Sequence, residues 1–180
     1  MPDPRILLLG VGNILYADEG LGVHAAQYLE RHYLFSSNVL LLEGGTLGKL
    51  LTAHIVDCDR LIVMDAVLGG QEAGSLYRLE DESLRKSLGF HDSQHQVDLE
   101  DVLAACAIIG NRPSAVVMGM EPLDWKSLSL ELTPPCRAAI PRYIREILKE
   151  LAATGGQAHP RGQDEGRQLP WLSPDPLLPD

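Results

Sequence analysis

Four uninterrupted apolar runs set the frame of this chain: Ile6-Leu-Leu-Leu9, Val39-Leu-Leu-Leu42, Leu61-Ile-Val-Met64 and Ala115-Val-Val-Met118. Each is too short for a helix and lacks the alternation of a half-solvated strand, so each fits a strand covered on both faces. Between them lie segments with helical spacing. Leu21, Ala25, Tyr28 and Leu29 recur on one side of a helix expected over 20–34, with Asp18 placed to cap its first turn. A short helix is expected near 47–55, and another over 95–109 with Leu99, Val102, Leu103 and Cys106 on its inner side. The last helix is expected over 134–151, carrying Tyr143, Ile144, Ile147, Leu148 and Leu151 inward, with Pro141 kinking it or marking a restart. Ser75-Leu-Tyr-Arg-Leu79 alternates and reads as an edge strand.

Strands alternating with helices predict an α/β fold: a three-layer sandwich whose twisted, mostly parallel five-stranded sheet carries helices on both faces. Residues 1–152 are expected to form one domain. From Gly155 the composition turns to Gly, Pro, Gln and charge, so 153–180 is expected to be a disordered Pro/Gly-rich tail.

The formal net charge of −10 and the absence of a basic cluster disfavour nucleic acid and anionic lipid as partners. No segment approaches the roughly 20 apolar residues that a membrane-spanning helix needs. The start of the chain lacks a signal peptide's basic region and cleavage site. Cys58, Cys106 and Cys136 are odd in number and far apart, which fits small buried thiols in a reducing cytoplasm.

Ligands of open α/β sheets bind at the carboxyl ends of the strands. The loops there are Gly10-Val-Gly-Asn-Ile-Leu-Tyr-Ala-Asp-Glu-Gly20, Glu43-Gly-Gly-Thr46 and Asp65-Ala-Val67, and the polar run His91-Asp-Ser-Gln-His95 precedes a helix. The first loop opens like a dinucleotide fingerprint, but Leu15 stands where glycine or alanine belongs. Asp18 and Glu19 also occupy the helix start that a phosphate would need. Carboxylates there invite a cation instead. Glu19 has a plainer explanation, since an acidic first turn favours a helix by about 0.3–1 kcal/mol. Asp65 closes a buried run, and a buried carboxylate must be capped, paired or bound to metal. A histidine at a helix start, His95 or its rival His91, is kept neutral and ready to ligate. His24, His32, His54 and His159 read as structural or solvated. Two carboxylates and an imidazole would form an N/O site with open positions, suited to zinc or nickel.

The stretch Ile6-Leu-Leu-Leu-Gly-Val-Gly-Asn-Ile-Leu-Tyr-Ala-Asp-Glu-Gly-Leu-Gly-Val23 resembles the opening signature of the endopeptidases that mature nickel–iron hydrogenases. The likeness continues through Glu43-Gly-Gly-Thr46, Leu61-Ile-Val-Met-Asp-Ala-Val67, His95-Gln96 leading to Asp101-Val-Leu103, and Gly119-Met-Glu-Pro122. The resemblance implies that Glu19, Asp65 and His95 are metal ligands. It also implies removal of a C-terminal extension from the hydrogenase large-subunit precursor after nickel insertion, with substrate-borne nickel as the recognition element. Zinc or another divalent ion could take the same site. Glu43, Gly44, Gly45 and Thr46 are the expected substrate-binding residues, although Glu43 replaces the family's aspartate.

No serine or cysteine nucleophile with a histidine partner is apparent, so the general base is left open between Asp65 and Glu43, with an aspartic-type carboxylate pair among the options. A monomeric cytoplasmic enzyme is expected. A nickel metallochaperone without protease activity and a nucleotide-binding module are the competing readings.

Overall fold

The computed structural model describes residues 3–46, 51–80, 103–108, 110 and 112–162. In chain order the elements are β1 (Ile6–Val11), a 3-10 turn (Ala17–Gly20), α1 (Leu21–His32), β2 (Tyr33–Phe35), β3 (Val39–Gly45) and α2 (Thr52–Val56). They continue with β4 (Arg60–Ala66), β5 (Leu76–Glu80), β6 (Ser114–Met120), α3 (Pro134–Ala153) and β7 (Ala158–Pro160), and a helical segment covers 103–108. No described helix is long and apolar enough to cross a membrane.

The main sheet has the order β3-β1-β4-β6-β5. All its pairings are parallel except that of the edge strand β5, which runs antiparallel to β6. The expected five-stranded, mostly parallel sheet is therefore present. Three of the apolar runs supply its central strands β1, β4 and β6, while the fourth, expected to be covered on both faces, is the edge strand β3 with Leu40 46% exposed. Both faces are covered. On one, Leu8, Ile62, Met64 and Met118 pack against Leu21, Ala25 and Leu29 of α1 and Tyr143, Ile144 and Ile147 of α3. On the other, Leu7, Leu9, Leu61, Val63 and Val117 meet Leu51, Ile55, Leu103 and Cys106. Burying a leucine such as Leu29 contributes about 1.5–3 kcal/mol, so α1 is held by its inner stripe. All three cysteines are free and buried.

Three local expectations change. Asp18 does not cap α1, whose start has no side-chain cap; its carboxylate is engaged elsewhere, as shown below. α3 passes through Pro141 as one element. Residues 154–162, assigned by composition to the tail beginning at 153, are folded. β7 pairs antiparallel with β2, and Asn38 Nδ2 donates to the carbonyls of Pro4 and Gly155. The guanidinium of Arg161 reaches the Glu30 carbonyl at 3.1 Å. The backbone polar groups of this stretch are satisfied by residues more than 120 positions away in some cases, such as Gln157 with Ser36. Composition alone carries no trace of such partners.

Candidate active site

The carboxyl end of the sheet is shaped by glycines. A Cβ on Gly22 would lie 2.0 Å from the Met64 carbonyl oxygen, and one on Gly10 would lie 2.3 Å from the Gly22 carbonyl oxygen. The first turn of α1 can therefore rest backbone to backbone on β1 and β4. Gly12 adopts φ +131°, and a Cβ there would sit 1.9 Å from the Glu19 carbonyl oxygen. The loop doubles back tightly enough to carry the 3-10 turn, and with it Glu19, over the end of β4. Ala17 takes a positive φ of 43° within the same turn.

Asp18 holds this turn in place. Its carboxylate is fully buried and accepts hydrogen bonds from the N–H groups of Leu123 (2.9 Å), Asp124 (3.1 Å) and Thr133 (2.8 Å) and from the Thr133 hydroxyl (2.7 Å). Its own N–H donates to the Asp124 carbonyl at 2.9 Å. The sequence placed Asp18 at a helix start, but its work is to join that start to the loop before α3.

Asp65 is buried at the penultimate position of β4. Burial pushes its carboxyl up to about 8, the nearby Glu19 charge adds to the rise, and a hydrogen bond from the Ala66 N–H opposes it. That bond is 2.7 Å long to Oδ1. The Asp65 N–H donates to the Tyr143 hydroxyl at 3.2 Å, and the same hydroxyl donates to the Met118 carbonyl. Tyr143, buried on α3, thus ties the Asp65 backbone to β6 from the opposite face. The sequence put Tyr143 on the inner side of a helix, and a hydroxyl in such a place needs a partner. That requirement was the available signal for its role.

The 3-10 turn thus places Glu19 close enough for its charge to act on the buried Asp65 carboxyl. Their oxygens suit a divalent cation, whose charge would offset the desolvation that now holds Asp65 high. His95 and His91 lie outside the described residues. Among the described residues no group of three or more His, Cys, Asp or Glu side chains gathers into a metal site.

Glu43 is placed differently. It sits opposite Gly10, which in turn sits opposite Met64, so all three share the face covered by α1. Its carboxylate accepts a hydrogen bond from Gln27 Nε2 of α1 at 3.1 Å. Asp65 follows Met64 and projects to the other face, two strand spacings or about 10 Å across. A proton shared between Glu43 and Asp65 is not part of this arrangement. After Glu43 the strand continues through Gly44, pressed within 2.7 Å of Leu51 and 2.9 Å of Leu9 for an added Cβ, to Gly45 at φ +52° with open space beside it. The Gly45 carbonyl accepts the Gly12 N–H at 3.0 Å, joining this loop to the one that carries Glu19.

A third buried acid, Glu121, went unnoticed as a structural element in the sequence. It accepts the N–H groups of Gly69 (2.8 Å) and Gln71 (3.2 Å) and the Tyr77 hydroxyl, closing the loop that follows β4.

Residues 23–150 match the family model of the hydrogenase maturation protease HycI. The chain belongs to the hydrogenase maturation protease family. Among its relatives, the hydrogenase expression/formation protein HupD of Rhizobium leguminosarum bv. viciae is 39% identical over 95% of this chain and 85% of its own length. The hydrogenase 2 maturation protease of Escherichia coli K12 is 37% identical over 87% of this chain and 96% of its own. The structure of the hydrogenase maturating endopeptidase HybD from E. coli superposes with a TM-score of 0.82 at 35% identity, covering 87% of this chain and 98% of that one. HybD from Thermococcus kodakarensis gives 0.68 at 25% identity over 82% and 99%. For this hydrogenase maturation protease the carboxylate pair at the sheet edge is the natural candidate for its chemistry.

Proposed function

We propose that this protease removes the C-terminal extension of a nickel–iron hydrogenase large-subunit precursor after nickel insertion, as a monomer in the cytoplasm. The observation that carries the proposal is Asp65: a carboxyl buried near the end of a central strand, pushed up to about 8 by burial and further by the Glu19 charge. Such a carboxyl gains most from a cation delivered to it. In this reading the cation is the nickel already seated in the substrate, and His95 supplies the nitrogen ligand. Zinc or another divalent ion would be held by the same donors. Bound metal would supply Lewis-acid polarisation of the scissile carbonyl.

The chain's own residues then position and move protons. The Ala66 N–H fixes Asp65 Oδ1, and Tyr143 holds the strand behind it. Between the two candidate bases the geometry favours Asp65, because Glu43 faces α1 and is engaged by Gln27. Glu43 to Thr46 is suited to seating the peptide, since Gly45 leaves its side open. Hydrolysis adds a water oxygen to the carbonyl carbon and breaks the C–N bond, with a proton passing to the leaving amine.

The test is incubation of the purified protein with nickel-loaded and nickel-free precursor, reading the large-subunit mass. Shortening of the nickel-loaded form alone, lost in Asp65→Asn, is expected. Stable nickel transfer with no shortening by the wild-type protein would sink the protease reading and favour a metallochaperone.

A further inference from the structure

Four of the seven exposed large apolar side chains among the described residues crowd into the two loops that frame Glu19: Leu15 is 52% exposed, Leu123 56%, Leu128 77% and Leu130 57%. Apolar groups gathered in this way mark surfaces that other molecules cover. The two loops are one rigid piece. The Ser129 N–H donates to the Leu15 carbonyl at 3.0 Å, and the Ala17 N–H donates to the Ser129 carbonyl at 2.8 Å. The buried Asp18 carboxylate ties Leu123 and Thr133 to the same turn. A surface held this firmly loses little freedom when it is covered, which favours binding.

We infer that these leucines dock an apolar patch on the folded body of the protein client, adjoining the segment that is cut. The inference rests on the protease reading above for the identity of that client. Leu15 stands four residues before Glu19, in the loop that leads into its 3-10 turn, so a peptide bond presented to Glu19 and Asp65 brings the body it belongs to across these loops. A second copy of the chain seated there would instead close the carboxylate pair to any substrate. The chemistry selected is a folded protein surface with exposed aliphatic or aromatic side chains, not a free peptide.

The experiment uses the full chain and nickel-loaded precursor, comparing wild type with the double variant Leu128→Ser, Leu130→Ser and with Leu34→Ser. Leu34 is an exposed leucine on β2 and serves as the control. The double variant is expected to raise KM at least tenfold with kcat within twofold and an unchanged melting temperature, while the control changes neither constant. An unchanged KM in the double variant overturns the inference. Leu128→Ala alone carries the same test if the double variant melts early. Direct binding of precursor to immobilised protein separates the two readings. Weaker binding by the variant, even where the wild type cuts nothing, upholds docking while the protease reading falls. Equal binding overturns docking whatever the activity. A wild-type dimer converted to monomer by the double variant would assign the patch to self-association and overturn the inference as well.

Discussion

Asp65 lies one residue from the end of a strand buried on both faces, so its carboxyl titrates far above the ordinary range, at about 8 against the usual 3.8. The sign of the consequence follows from proton counts. Between those values the folded, metal-free protein holds a proton that the unfolded chain has released, so stability is full below about pH 4 and falls as pH rises toward 8. One such group gives a slope of up to about 1.4 kcal/mol per pH unit. Asp65→Asn removes it. Urea titrations of metal-free protein from pH 5 to 8 should show the variant gaining on the wild type as pH rises; parallel curves would refute the burial argument. Tyr143→Phe acts on the same residue from behind. It leaves the buried Asp65 N–H and the Met118 carbonyl short of a partner, at a cost of about 1–3 kcal/mol, measurable as a lower urea midpoint with an unchanged slope. At this scale the sequence revealed Asp65 through its place at the end of an apolar run, and Glu19 through its place at a helix start. It could not reveal which way Glu43 faces, because that depends on register with β1 and β4 rather than on neighbours in the chain.

At the scale of elements, the signature glycines divide into two kinds. Gly22 is required by space, since an added Cβ would meet backbone oxygens of Met64 at 2.0 Å and Val11 at 2.4 Å. Gly45 is required only by its φ of +52°, with nothing within 4 Å. Gly22→Ala must push α1 away from the sheet and carry Glu19 with it, so it should cost about 1–3 kcal/mol from overpacking and abolish processing together. Gly45→Ala should cost about 1–2 kcal/mol for the left-handed backbone and leave the Glu19–Asp65 geometry in place. Thermal melts paired with cleavage kinetics distinguish them: Gly22→Ala should lower kcat, Gly45→Ala in the peptide-seating loop should act on KM, and an equal loss of kcat in both would overturn the division. α1, α3 and the main sheet were legible because apolar periodicity is local, while residues 95–102 of the helix expected over 95–109 lie outside the described residues. β2 and β7 were not, because each is three residues long and neither shows a period. Their pairing joins the end of α1 to a segment rich in Gly, Gln and Pro, and such a segment reads as a loop until its partner is known.

For the whole molecule, the folded boundary lies beyond the last helix, and that placement has a measurable consequence. A chain cut after Ala153 loses the β2–β7 pairing, the Asn38 bond to Gly155, the Gln157 N–H bond to Ser36 and the Arg161 bond to Glu30. It also exposes Val39 and Leu151, which Gly156 now approaches within 2.9 Å or less for an added Cβ. Several hydrogen bonds at a net 0.5–1.5 kcal/mol each amount to about 3 kcal/mol. For a domain of this size that lowers the melting temperature by about 6–12 °C. A chain cut after Gly162 keeps every one of these bonds and should melt above the chain cut after Ala153. The loss should be structural and remote from the site, since β2 and β7 lie at the far end of α1 from Glu19: processing by the 153-residue chain, measured well below its melting point, should keep its KM. A chain cut after Ala153 that melts as high as one cut after Gly162 would show that the β2–β7 ribbon contributes nothing to the fold.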